Sequence, residues 1–421
     1  MTKIVVRNKK YDARACIVTI ILAFLIFFEL RGGRSYFDEI LCLIAFVYIA
    51  LCAIKQRINR YDFISILLLL LVICIGVVSN ICSGISAPLF SVIVDIIAES
   101  KLLCVYFAAK YYINDRTRQS LVAMFTPIAK VYIVLAFIFA ILSQFVDIGM
   151  TGTERYGISG FRFIFPMSFQ FLAVTLVMIA VLTLDKQVKN KRYYYIMVCI
   201  SLLFATKSSP LIFALLFLFL CHYFNKKSEI KFWTIIFIAI AIVIVGSYQI
   251  ETYLMNENAP RYLFFYYGAI TANKFFPLGS GFATFGSDQA ARIYSPLYYE
   301  YGFNNQFGMS VEDRSFLSDT FWPMAIGQFG WIGFLLYCLI YVRIFYSFQK
   351  KSMALSDQKA FMYASFISYI IHAVGSAILS SSAGVIGFIA LAIVAGEQPE
   401  EAEANLILSK QAGKDNCLRT N

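Results

Sequence analysis

The sequence predicts an all-α integral membrane protein: a polytopic bundle of about a dozen transmembrane helices with one large, partly helical outer loop between the ninth and tenth spans. Three observations lead there. Apolar residues make up 60% of the 421 positions and charged residues only 14%, against about 45–50% and about 25% in an average soluble domain. The apolar residues come in runs, each long enough to cross about 30 Å of hydrocarbon as helix. Lysine and arginine gather in alternate connections between those runs, the asymmetry that membrane topology produces. A bilayer offers no water to unpaired backbone groups, so each run is expected as helix. The alternating ~10-residue segments of a β-barrel are absent.

Taken in order, the basic start MTKIVVRNKKYDAR precedes a first run at 15–30. Glu29-Leu30-Arg31 is a poor cleavage site, so this run reads as a retained span rather than a signal peptide. Further spans are expected at 36–54, 63–81, 89–109, 121–145, 163–184, 193–205, 210–224, 232–250, 321–348, 360–379 and 383–395. The loops with Lys55/Arg57/Arg60, Lys110/Arg116/Arg118, Lys186/Lys189/Lys191/Arg192, Lys226/Lys227/Lys231 and Lys350/Lys351/Lys359 all fall on the side of the N-terminus. By the positive-inside rule that side is cytoplasmic, and an even number of spans returns the C-terminus to it. The net charge of +11 therefore reads as topology, and nucleic acid is not an expected partner. The chain reads as one transmembrane domain over 1–395. It is followed by a polar tail, 396–421, opened by Glu397, Glu400, Glu401 and Glu403 and expected to be disordered and cytoplasmic. Ten cysteines without a CxxC pair or a Cys/His cluster support neither a disulfide framework nor a zinc site.

The connection at 251–320 breaks the pattern. Connections beyond about 12–15 residues are usually functional or disordered, and this one is too aromatic for disorder. It is expected to be folded and to lie on the outer membrane surface. The outer side carries few cations: Arg31, Arg34, Arg155, Arg162, Lys207, Arg261, Lys274, Arg292 and Arg314. A guanidinium fork grips phosphate in a bidentate manner, so Arg155, Arg162, Arg261 and Arg292 together suggest a site, while any one of them alone suits a headgroup or loop contact equally well. Tyr294, Tyr298 and Tyr299 lead a tyrosine-rich stretch suited either to sugar faces or to a membrane interface. Among outer carboxylates, Asp319 stands where the loop re-enters the membrane, where burial would move its pKa toward a useful range; it also suits a helix N-cap. Within the spans, Asp95 and Glu99 share a helix face with Lys101 nearby, and pairing with Lys130 of the next helix is the favoured reading over a proton relay. His372 reads as a lone intramembrane histidine in a packing role. No Walker-type loop, HExxH or DxD motif is present, so no cofactor or metal is expected.

At this point the residues resemble a family. Phe275-Phe276-Pro277-Leu278-Gly279-Ser280-Gly281-Phe282-Ala283-Thr284-Phe285-Gly286 is similar to the long-loop glycine segment of the bacterial O-antigen and capsular polysaccharide polymerases, a superfamily that also holds the O-antigen ligases. Tyr294-Ser295-Pro296-Leu297-Tyr298, Ser318-Asp319-Thr320-Phe321-Trp322-Pro323 and Gly327-Gln328-Phe329-Gly330-Trp331-Ile332-Gly333 resemble the capsular branch. Arg155-Tyr156-Gly157 with Arg162 resembles its first outer arginine region, and Lys207-Ser208-Ser209 stands where many members have Ser-Arg. Ligases typically carry a His-Asn pair where this chain has Asp319-Thr320, which favours a polymerase.

The resemblance implies a metal-independent membrane glycosyltransferase that joins undecaprenyl-diphosphate-linked oligosaccharide units on the outer face of the bacterial cytoplasmic membrane. A flippase and a chain-length regulator are its implied partners. The diphosphate would be held by Arg155, Arg162, Arg261 and Arg292, then Lys207 and Arg314. The base would be Asp319, then Glu300, and Tyr294, Tyr298 and Tyr299 would hold glycan. The alternatives are ligase-type transfer to another acceptor, or a flippase or secondary transporter; the absence of an internal repeat speaks against the last.

Overall fold

The computed structural model describes residues 3–6, 9–32, 36–155, 157–227, 229–349 and 355–396. The tail expected to be disordered, together with Arg34, Tyr156, Lys350 and Lys351, lies outside the described residues. In chain order the elements are β1 (Lys3–Val6), β2 (Lys9–Asp12), α1 (Ala13–Arg31), α2 (Phe37–Ile54), α3 (Arg60–Ser83), α4 (Leu89–Tyr112) and α5 (Asp115–Leu142). Then come β3 (Thr151–Arg155), β4 (Ile158–Phe161), α6 (Ser168–Leu184), α7 (Lys191–Leu203), α8 (Ser208–Phe224) and α9 (Phe232–Leu254). The loop region holds α10 (Pro260–Lys274), α11 (Asp288–Ile293) and α12 (Pro296–Glu300), and the chain closes with α13 (Phe321–Gln349), α14 (Ser356–His372) and α15 (Ser382–Ala395). Each of the expected apolar runs carries a helix. The two antiparallel hairpins, β1–β2 and β3–β4, were not legible as strands and qualify an all-α description.

Five helices, α1, α2, α3, α5 and α13, are long and apolar enough to cross a membrane; α6, α8, α15 and part of α9 are shorter apolar helices. The burial pattern agrees with a lipid surround. On α1, Ala15, Val18, Leu22 and Leu25 face inward at helical spacing, yet the opposite face is also apolar, with Ile17, Ile20, Phe24 and Phe27 exposed. On α2, Ile40, Leu43, Ile44 and Val47 repeat the pattern. A water-facing helix would be polar there, and contiguous exposed apolar surface of this extent marks contact with lipid. At the centre, α15 and α6 are apolar and buried on all sides; α15 packs on α6 and α4, α8 on α14, and α2 on α4.

The loop is not laid on the surface as expected. Its glycine segment inserts between α3, α4 and α13. The last of these is broken at Gly330, whose φ of 63° and ψ of −173° are non-helical. A helix break frees backbone carbonyls, and here the segment takes them: Ser280 N–H donates to Gly327 O (2.9 Å) and Gly281 N–H to Gln328 O (2.9 Å). The Asn80 side chain bonds both backbone groups of Phe282, at 2.8 Å each. Asp95 Oδ2 accepts from Ala283 N–H (2.6 Å) and from Gln328 Nε2 (3.0 Å). The expected pairing of this carboxylate region with Lys130 is therefore corrected. Asp95 clamps the inserted segment, and Lys101 instead pairs with Asp38 (2.5 Å) and Glu39 (2.9 Å) of α2. Burying Lys101 with Asp38 and Glu39 is tolerable because the opposite charges are paired.

The approach is close enough to demand glycine. A Cβ on Gly279 would stand 2.3 Å from Gln328 O, and one on Gly330 would stand 2.3 Å from Leu278 O. Gly279→Ala is therefore expected to lower stability by about 3 kcal/mol through overpacking. Gly302→Ala, at φ +70° but with nothing within 4 Å, should cost only about 1 kcal/mol of left-handed strain. Thermal melts of both variants in detergent check the difference, and equal losses would contradict the interlock.

Candidate functional site

Several of the sequence-predicted residues meet at the loop end of the bundle. Asp319 precedes α13 and accepts from both Nε (3.3 Å) and Nη2 (3.1 Å) of Arg261, in the first turn of α10. The Arg261 guanidinium lies over the Tyr253 ring at 4.8 Å. Gly375 leaves it room, since a Cβ there would stand 3.2 Å from Nη1. Lys207 caps the start of α8. Burial, then the fields of Arg155 and Arg261, hold its ammonium below the usual lysine range, and Asp319 opposes them. Arg155 reaches this place because the β3–β4 hairpin sits on the α7–α8 turn: Phe161 N–H donates to Phe204 O (2.8 Å), and Gly160 packs against Thr206.

Burial pushes the Asp319 carboxyl above the usual range, and Arg261 and Lys207 only partly counter it. Arg155 and Arg261 both repel Lys207, and only Asp319, which pairs with Arg261, opposes them. A compact dianion would relieve that repulsion. The desolvated carboxylate is suited to accept a proton.

His372, read from the sequence as a packing residue, stands near this cluster. His372, expected inside a span at 360–379, ends α14, because that helix stops there. It stands within electrostatic reach of Arg261 and Lys207. Its ring is 6.1 Å from Phe169, and its buried Nδ1 has no hydrogen-bond partner. Only its position level with Asp319 on neighbouring runs could have signalled this, since Phe321 N–H bonds Ala373 O (3.3 Å).

The remaining expected residues lie elsewhere or are otherwise engaged. Arg162 bonds the carbonyl of Pro166 (2.9 Å) within its own loop. Arg314 donates to Val311 O, Ala291 O and Arg292 O and so holds the end of α11. Arg292 pairs with Asp288 at 2.6 Å. Glu300 is bound to Lys274 at an exposed position. Tyr294 and Tyr298 belong to a second apolar core inside the loop, with Phe264, Phe285, Phe303 and Leu317. Tyr298 is 0% exposed and its hydroxyl accepts from Gly286 N–H (2.9 Å), whereas Tyr299 is 57% exposed. Of the three, only Tyr299 offers a free face. Among the described residues no group of three or more His, Cys, Asp or Glu side chains is placed to hold a metal ion.

No protein-family model matches this chain, and no curated protein matches it.

The electrostatics make a prediction about Lys207. An amine-acylating reagent should modify it with a midpoint below the free lysine value of 10.5. Asp319→Asn removes the one favourable field and should lower that midpoint further, and Arg155→Ala should raise it. Mass-spectrometric labelling across a pH series reads both shifts.

Proposed function

We propose that this protein is a polysaccharide polymerase of the outer face of a bacterial cytoplasmic membrane, crossing it twelve times with both ends inside. It joins undecaprenyl-diphosphate-linked oligosaccharide units into a capsular, O-antigen or exopolysaccharide chain. The observation that carries this reading is the grouping of Arg155 and Arg261 about Lys207, with Asp319 bonded to Arg261, from four separate parts of the chain. An anion site with a desolvated base beside it suits glycosyl transfer from a diphosphate. Exposed apolar faces on α1 and α2 supply the lipid setting that such a carrier requires.

In the reaction, the bond between the anomeric carbon of the growing chain and its diphosphate oxygen breaks. A new bond forms from that carbon to a hydroxyl of the incoming unit. The hydroxyl proton passes to Asp319, and undecaprenyl diphosphate leaves with the bonding electron pair. Charge builds on the departing oxygen, and fixed cations in a water-poor site stabilise it at little reorganisation cost. Arg155, Lys207 and Arg261 have that role here. Arg261 also orients Asp319, and Tyr299 is the tyrosine free to contact glycan. His372, with an unbonded ring nitrogen beside Arg261, is the second proton acceptor in reach.

Ligase-type transfer uses the same chemistry on a different acceptor. Polymerase is preferred on the resemblance of the Gly279 and Asp319 segments to the capsular branch.

Purified protein given lipid-linked repeat units should produce a ladder of products. Arg155→Ala, Lys207→Ala and Arg261→Ala should each slow chain growth by about 10²–10³-fold at unchanged protein level. Arg314→Ala, which loses backbone bonds instead, should lower the melting temperature first. Normal ladders from all three site variants would sink the assignment.

Chain growth should also fall on the acid side as Asp319 is protonated. Because its folded pKa is raised above 3.8, the loss begins at a higher pH than for a free carboxylate. Asp319→Asn should remove that limb and cost about 10²–10⁴-fold in rate.

A further inference from the structure

Behind the strap Ser318–Asp319–Thr320, on the side away from Arg261, lies a second site of opposite character. A cavity of about 330 Å³ opens between α2, α4, α11 and the start of α15. That volume falls at the small end of ligand pockets, about 300–1,000 Å³. Its charged lining consists of Asp38, Glu39, Asp95, Glu99 and Asp288 against Lys101 and Arg292. Both cations are already bound, Lys101 to Asp38 and Glu39 and Arg292 to Asp288.

Four polar atoms of this lining are buried without a hydrogen-bond partner: Glu39 Oε2, Asp95 Oδ1, Glu99 Oε2 and Thr320 Oγ1. Asp95 and Thr320 are each 1% exposed and Glu99 is 4% exposed. Orphaned buried acceptors are costly, and each calls for an explanation. Here they share one cavity, which points to a ligand rich in donors. The Ser318 hydroxyl adds a partner that can donate or accept, while those of Ser287 and Ser381 already cap α11 and α15.

We propose that this cavity binds a sugar ring, either neutral or carrying an amino group, through its hydroxyl and amine donors. The excess of carboxylates excludes phosphate, diphosphate and acidic sugars, which instead suit the Arg155–Lys207–Arg261 cluster. No three His, Cys, Asp or Glu side chains among the described residues are grouped to hold a metal ion. The identity of this sugar as the acceptor end of an incoming unit rests on the function proposed above; the presence of a saccharide site does not. In that reading the cavity holds the body of the acceptor, and its reacting hydroxyl extends past the strap to Asp319. Ser318 and Thr320 face the sugar, and Asp319 faces the cations.

The test uses full-length protein in lipid nanodiscs. Methyl glucoside, N-acetylglucosamine, glucosamine and glucuronate are titrated at millimolar concentrations and followed by saturation-transfer difference NMR. At least one neutral or amino sugar should bind saturably, and glucuronate should not. Ala98→Phe, which fills the cavity from α4, should abolish the signal. Glu99→Gln, which keeps the shape, should weaken it about tenfold, the loss of one charge-assisted hydrogen bond. The proposal is overturned if no neutral or amino sugar saturates the wild type, or if binding persists unchanged in both variants with native melting curves. It is also overturned if sodium, compared with choline at equal ionic strength, stabilises the wild type but not Glu99→Gln, which would assign the cavity to a metal cation. Protection of Lys207 from acylation by pyrophosphate reports on the anion cluster separately, so failure of the sugar site and failure of the polymerase reading give different results.

Discussion

The structure depends on the seating of a glycine segment in a broken helix. Gly330 interrupts α13, and the carbonyls released by that interruption are taken by Ser280 and Gly281. Neither half of the arrangement is stable alone. Irregular backbone at the edge of a hydrocarbon layer is tolerated only where protein satisfies it. The broken turn supplies acceptors, and the segment supplies donors. Asn80 and Asp95 then fix the segment to α3 and α4. Everything in the loop follows from this anchor, because α10 precedes it and α11, α12 and the Asp319 strap follow it. Arg261 and Asp319 come from opposite sides of the anchor and are brought together by it.

The second organising principle is separation of charge across a thin wall. On one side of the 318–320 strap, half-buried Asp319 is paired with Arg261 and lies in the field of Lys207. On the other, five carboxylates surround two cations that are already paired. Ser318 and Thr320 line the cavity while Asp319 bonds Arg261, so three consecutive positions serve both sides. A negatively charged group and a donor-rich neutral group would be sorted to different sides without any moving part.

The helices were legible because apolar run length is a strong and local signal. Where helix and run differed, local backbone chemistry decided. The run from 163 begins as coil, since Phe163 has φ +55° and α6 starts only at Ser168. The run to 379 is cut at His372, where the chain turns through Gly375. Arg261, Lys207 and Arg155 were singled out from the scarcity of cations on the loop side and Asp319 from its place where the loop re-enters the membrane; Arg155 and Arg261 do act on Lys207, and Arg261 bonds Asp319. Arg162, Arg292 and Arg314 shared the same scarcity but are engaged by a carbonyl, a carboxylate and a helix end, and charge counting cannot separate these fates. The tyrosines misled for a related reason. A ring with a polar tip suits a sugar face and a small loop core equally, and the hydroxyl of Tyr298 is satisfied inside by Gly286. The hairpin at Arg155 gave no period-two signal in so few residues.

The close packing of α8 on α14 has a consequence for how the cation cluster is held. Lys207 stands at the head of α8 and His372 at the tail of α14, so the two side chains ride on one antiparallel pair. Tilting that pair as a rigid lever would carry both groups together and preserve their mutual spacing. The gap to Arg261, which belongs to the loop, would change. Opening the site is then a matter of moving one helix pair against the seated loop, with neither unit unfolding.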